Sequence, residues 1–369
     1  MRRVPISEVK DGDILATEVL DLKGRVLLKK GNVLDDYFIR KIEEHHVQSV
    51  YITDHVDDIE TLKDVVSPLV RLKAIDAVRK LYIEFVAQTT VESMYAGSKD
   101  YLNENPHILK IMLAADELTD EIFMNPKARI EMVNIKSKHG YMYEHAVSVA
   151  VLSLLLGMDL NLKEQELGIL VLASLLMDIG NGYVDSDILE KNIPLSDEEI
   201  ENIRQHPKLS YDFLTHKTQL NPITRHVILQ HHERLDGSGY PNGIKDKDIH
   251  PLTRIIAITD TYDALTSDRP YRRGYSPNEA LEMIMSNAGT LFDFEYAQLF
   301  ARRVVAFPTG TFVLLSNGDK GEVIDENINI PLRPIIRIKK HKLPDSKYEV
   351  LDLKAHLNIT IEKVIYQIE

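Results

Sequence analysis

Between residues 128 and 305 apolar residues recur at three- and four-residue spacing, interrupted only by polar turns. That period fits helices rather than strands, and it commits the middle of the chain to a packed helical bundle. The longest uncharged stretch, 146-AVSVAVLSLLLGM-158, is too short to span a bilayer and keeps the helical period, so it is expected to be a buried core helix.

The flanks read differently. A chain of 369 residues has room for about two to three domains. Residues 1–56 suggest a small α+β domain, with strand-like 14-ILATEVL-20 and 25-RVLLKKG-31 on either side of a Lys23-Gly24 turn. A short helix from Asp35 to Glu44 and a strand 48-QSVYIT-53 follow, and His45, His46 and His55 around them are expected to be surface residues. Residues 57–127 form a helical connector, whose amphipathic run 58–86 is expected to kink at Pro68. Such a connector serves as an interdomain strut or as a helix-pairing face for a homodimer. Residues 306–369 turn to strands: 311-TFVLLSNGDKGEVI-324 reads as strand, Asn-Gly turn, strand, followed by 333-RPIIRIKK-340 and 358-NITIEKVI-365. The basic run 333–342 is expected to be a solvated strand face. The fold class is therefore multidomain and mainly α, a central all-α domain at 128–305 flanked by a small N-terminal α+β domain and a small β-rich C-terminal domain.

A net charge of −13 argues against binding a nucleic acid polymer or an anionic membrane surface, but not against a small anionic ligand held by local arginines. The N-terminus, MRRVPISEVKDGD, has no apolar core of a signal peptide, so a cytoplasmic protein without membrane insertion is expected. Without cysteine, any metal must be held by His, Asp and Glu.

Seven such side chains stand out in the central region: His145, Asp178, His206, His231, His232, Asp236 and Asp260, all expected at helix ends or turns. Singly, each has a bland reading as a core histidine or a capping carboxylate. Together they are harder to dismiss. Asp178 interrupts 168-GILVLASLLM-177 and Asp260 ends 255-IIAIT-259; a carboxylate at the edge of an apolar run needs a cation or strong hydrogen bonds. His231 and His232 are adjacent and lead into the glycine-rich 236-DGSGYP-241. Nitrogen and oxygen ligands without sulfur suit Mn, Fe, Zn or Mg, often as two metals sharing a carboxylate.

The order of these motifs resembles the HD-GYP family, a branch of the HD-domain metal phosphohydrolases that opens cyclic di-GMP. The resemblance covers about residues 135–305 and is carried by 231-HHERLDGSGYP-241, 254-RIIAITDTYDALTSDRPYR-272 and His206-Pro207. It implies an HD-type helical bundle and divalent metal ions, Fe or Mn, one or two per chain. It assigns His145 and Asp260 to a first metal, Asp178 to a bridge, and His206, His231 and His232 to a second metal. Gly239, Tyr240 and Pro241 would form the loop beside the guanine bases, and Arg269 and Arg272 would meet the substrate phosphates.

Three positions depart from the family pattern. The dyad that is His-Asp in the family is Met177-Asp178 here, and a thioether is a poor partner for hard cations. Asn181 stands where the family has a lysine, and Tyr141 where some members place a Glu for a third metal. Three protein ligands can still hold a divalent ion, at a cost on the order of 10–100-fold in affinity or more. The sequence thus supports a metal-dependent phosphodiesterase for cyclic di-GMP or a related cyclic dinucleotide, with a weakened first metal site. The alternative is a catalytically inactive sensor of the same nucleotide. A helical scaffold without a ligand would leave the whole His and Asp set to coincidence.

Overall fold

The computed structural model describes residues 2–20, 26–45, 47, 49–53, 65–83, 90, 94, 106–130, 141–189, 191, 193–268, 274–339 and 348–365. The Lys23-Gly24 turn, His46, His55 and the start of the 58–86 run lie outside them.

At the N-terminus β1 (Arg2–Pro5), β2 (Ile14–Leu15) and β5 (Ser49–Thr53) make an antiparallel sheet in the order β1-β5-β2, beside a ladder of β3 (Val19–Leu20) and β4 (Val26–Leu28). Helix α1 (Asp36–Glu44) starts where Asp35 accepts a hydrogen bond from Phe38 N, and its Ile42 enters a small separate core with Val4, Leu15, Val50 and Ile52. His45 is exposed, as expected.

The connector supplies α2 (Pro68–Leu81) and α3 (Pro106–Met124). Pro68 opens α2 rather than kinking a longer helix: it is the first helical residue, where its missing N–H costs nothing, and Ser67 caps the turn through Val70 N. The bundle then runs α4 (Tyr141–Asp159), α5 (Glu164–Leu176), a 3-10 turn (Ile179–Tyr183), α6 (Ser186–Leu189), α7 (Asp197–Ile203), α8 (His206–Lys217), α9 (Pro222–Gln230), α10 (Pro251–Thr266), α11 (Pro277–Ser286) and α12 (Phe294–Arg303). Prolines at the start of α9, α10 and α11 fix where those helices begin.

By length and composition two segments, Tyr141–Asp159 and Glu164–Tyr183, are apolar enough to cross a membrane, which the shorter run read from sequence did not suggest. Their packing explains the composition. Helix α4 buries every residue from His145 to Gly157 against its neighbours, so it is apolar on all sides because it is enclosed on all sides.

The C-terminal sheet has the order β10-β6-β7-β8-β9, from β6 (Phe312–Leu315), β7 (Lys320–Asp325), β8 (Ile335–Lys339), β9 (Tyr348–Asp352) and β10 (Ile361–Ile365). Gly318, at φ +85°, makes the turn between β6 and β7. Unlike the N-terminal unit, this sheet shares the helical core: Val313, Leu315, Val323 and Ile336 belong to one buried cluster with the residues of α4 and α5.

Candidate metal centre

Five segments meet at one point. His145 comes from the second turn of α4, Asp178 follows α5, His206 opens α8, His231 and His232 follow α9, and Asp260 lies within α10. The expectation that all ligands sit at helix ends or turns therefore fails for Asp260. Its carboxylate is kept in a mostly apolar helix because partners await it. Asp260 Oδ1 is 3.0 Å from His145 Nε2, and its Oδ2 is 3.5 Å from His232 Nδ1.

Asp178 sits between the two histidine groups. Its Oδ2 lies 3.8 Å from His145 Nε2, and its Oδ1 lies 3.2 Å from His206 Nε2 and 3.9 Å from His231 Nε2. One ligand atom from each of Asp178, His206, His231 and His232 falls within 4.8 Å of all the others. Burial pushes the Asp178 carboxyl upward, but the hydrogen bond from His206 and the charges of His206, His145 and His231 outweigh it. The carboxyl is held well below the usual carboxylate range.

The helix ends orient the rings. His206 Nδ1 donates to Ile203 O at 2.7 Å and His231 Nδ1 to Ile228 O at 2.6 Å, which turns each Nε2 inward. Burial first, and then the charge of His206, push His231 down to about 4 against the pull of Asp178 and Asp260. Burial and the neighbouring histidines also place His232 well below its ordinary value. Both rings are therefore neutral at pH 7, the form that binds a metal.

Close backbone approaches set the positions. Gly180 lets the 3-10 turn press on α8, since a Cβ there would meet His206 O at 2.1 Å. Ser210 closes this joint, donating to Met177 O at 2.7 Å and accepting from Gly180 N at 2.8 Å. At Gly239 a Cβ would meet His232 O and Arg234 N, each at 2.4 Å. The loop is also tied by Tyr240 N donating to His232 O at 3.2 Å. The buried Glu233 carboxylate accepts from Asn242 N at 2.8 Å and Ile244 N at 3.2 Å. Tyr240 thereby stacks on His232, with ring centres 4.6 Å apart and planes 27° apart, and the peptide into Pro241 is cis.

Of the residues singled out from sequence, His145, Asp178, His206, His231, His232 and Asp260 come together, with Gly239, Tyr240 and Pro241 alongside. Asp236 does not join them: it is exposed, and its Oδ1 accepts from Ser238 N and Oγ, capping the loop. Arg269 and Arg272 lie outside the described residues. Met177 is wholly buried in the main core. Asn181 donates to Asp178 Oδ1 at 3.4 Å, and its own Oδ1 is buried without a hydrogen-bond partner among the described residues. Tyr141 stacks on His145, ring centres 5.4 Å apart.

Sequence reading missed Asp263, whose Oδ2 lies 2.5 Å from His145 Nδ1. Its signal was the three-residue spacing from Asp260, which puts both carboxylates on one face of α10. It also missed the tether at Asp268, which accepts from Gly274 N at 2.9 Å and from Ser49 Oγ of β5 at 2.9 Å.

Comparison with known proteins places these features in context. Residues 127–296 match the HD domain family model and residues 312–369 a KOW domain associated with HD domains. A Pseudomonas aeruginosa protein named as a cyclic di-GMP phosphodiesterase is 34% identical over 64% of this chain and 58% of its own length. A Thermotoga maritima protein of the same name is 28% identical over 69% of this chain and 70% of its own. A Vibrio cholerae protein named as a 3'3'-cGAMP-specific phosphodiesterase is 31% identical over 50% of this chain and 40% of its own. The chain thus spans less than two thirds of the Pseudomonas and Vibrio relatives.

Proposed function

Residues 127–296 match the HD domain family, and on that premise we propose that the chain is an HD-GYP protein, a divalent-metal-dependent phosphodiesterase opening cyclic di-GMP or a related cyclic dinucleotide. The observation that carries this reading is the convergence of Asp178, His206, His231 and His232 from four separate segments, with ligand atoms within 4.8 Å of one another. A set of imidazole nitrogens and carboxylate oxygens without sulfur fits Fe or Mn. His145 and Asp260 would hold one ion, His206, His231 and His232 another, and Asp178 would be shared, giving one or two ions per chain. When bound, such ions supply the Lewis acidity that activates water and neutralises phosphate charge.

The chain's own residues do the rest. Asp263 and the carbonyls of Ile203 and Ile228 fix which nitrogen each histidine offers. Tyr240, stacked on His232, covers one face of that ring. Arg269 and Arg272 are assigned to the substrate phosphates by their place in the family motif. We assign the chain to the cytoplasm. The exposed Leu69 and Leu72 on α2 and Leu109 and Leu113 on α3 support a homodimer through the connector.

A second reading, a nucleotide sensor without turnover, is favoured by one observation: Met177 is fully buried in the core and brings no nitrogen to the first ion. Metal analysis of the purified chain, paired with cyclic di-GMP turnover under added Mn or Fe, separates the two. Metal-dependent turnover supports the enzyme, and tight binding without turnover supports the sensor.

A further inference from the structure

Beyond Arg269 and Arg272, which lie outside the described residues, the described residues bring little positive charge to the centre. Asp178, Asp260 and Asp263 crowd its floor, and Asn181 offers an amide where a lysine would bring a cation. A cyclic dinucleotide carries two phosphates, and ions held at the centre would serve the one being cleaved. Among the described arginines near the centre, most are committed elsewhere. Arg234 donates to the carbonyls of His231 at 3.4 Å and Glu233 at 3.0 Å and to Thr261 Oγ1 at 3.3 Å. Arg254 is held by Asp293 at 3.0 Å and by the Asp246 carbonyl at 2.8 Å.

Arg204 differs. It caps the C-terminal end of α7, two residues before His206, so its backbone is anchored at the rim of the centre. Its guanidinium carbon lies 5.5 Å from the centre of the Tyr240 ring, the same ring that stacks on His232. The side chain is 53% exposed, and its ion pair with Glu201 is loose, at 3.8 Å to a carboxylate that is itself 64% exposed. A pair of that kind holds a guanidinium weakly and yields it readily to a better anion.

We infer that Arg204, seated against the Tyr240 ring, binds the phosphate of the cyclic dinucleotide that is not being cleaved. This rests on the proposed nucleotide specificity and adds a binding residue from α7, outside the motifs that suggested that specificity. A planar guanidinium meets two phosphate oxygens at once, which a lysine at 181 could not do. Because phosphate is common to all such ligands, Arg204 contributes affinity without choosing between bases.

The test is calorimetric titration of the metal-loaded full chain with cyclic di-GMP, 3'3'-cGAMP and cyclic di-AMP, comparing wild type, Arg204→Ala and Arg204→Lys. Arg204→Ala should weaken every ligand that the wild type binds by about 10- to 100-fold, the range for hydrogen bonds to a charged group. Metal content and melting temperature should stay unchanged, and Arg204→Lys should recover part of the loss. Unchanged affinity in a folded, metal-loaded Arg204→Ala overturns the inference. A loss confined to guanine-containing ligands overturns it too, because it moves Arg204 to a base. Failure of the wild type to bind any of the three counts instead against the nucleotide reading itself.

Discussion

Asp263 Oδ2 stands 2.5 Å from His145 Nδ1, while the opposite nitrogen of the same ring lies 3.0 Å from Asp260 Oδ1. One carboxylate fixes the ring and the other shares its working face. The two aspartates are three residues apart on α10, so a single helical turn both orients the ring and brings a carboxylate to its inward face.

Replacing Asp263 with Asn keeps the shape and removes the charge. Metal affinity at the site holding His145 should then fall by about 10- to 100-fold, the usual effect of losing the partner of a metal-bound histidine. Competitive chelator titration reads this directly. Unchanged affinity with intact folding would mean that Asp263 is only a structural partner.

Met177→His rebuilds the family dyad inside a wholly buried position. Without metal the new imidazole is an unsatisfied polar group, costing about 1–3 kcal/mol. With Mn or Fe added, the melting temperature should recover and metal content should rise toward two per chain. A variant that stays destabilised when metal is supplied would show that position 177 points away from the centre.

Legibility from sequence followed the same physics. The helices of the bundle were plain because apolar runs as long as those in α4 and α5 exceed a buried strand, and the candidate ligands were plain because a charged or imidazole side chain in such surroundings needs a reason. Asp236 was misread because a carboxylate in a glycine-rich loop looks the same whether it caps a turn or binds an ion. Pro68 was misread as a kink because periodicity alone does not show where a helix begins. The shared core of the C-terminal sheet and the bundle, and the Ser49–Asp268 contact across 219 positions, depend on tertiary placement that no local pattern carries.

The metal-free protein should lose stability in acid in two steps. His231 is near 4 when folded against 6.5 as the ordinary value, and His232 is also depressed, so the unfolded chain binds more protons between these limits. Unfolding free energy should therefore rise with pH from about 4 to 6.5 and flatten above. Asp178 is depressed as well, so its contribution is present above 3.8 and is lost as pH falls below that value. Denaturant melts of chelator-treated protein across pH 3–8 check both windows. His231→Gln should flatten the upper one.

The most direct test is hydrolysis of cyclic di-GMP by the purified chain loaded with Fe or Mn, followed by chromatography of the products, beside Asp178→Ala prepared in the same way. The account predicts bound divalent metal, turnover that chelation abolishes and metal restores, and neither metal retention nor turnover in Asp178→Ala. A folded, metal-loaded wild type that cleaves neither cyclic di-GMP nor 3'3'-cGAMP, or an Asp178→Ala variant as active as wild type, would contradict it.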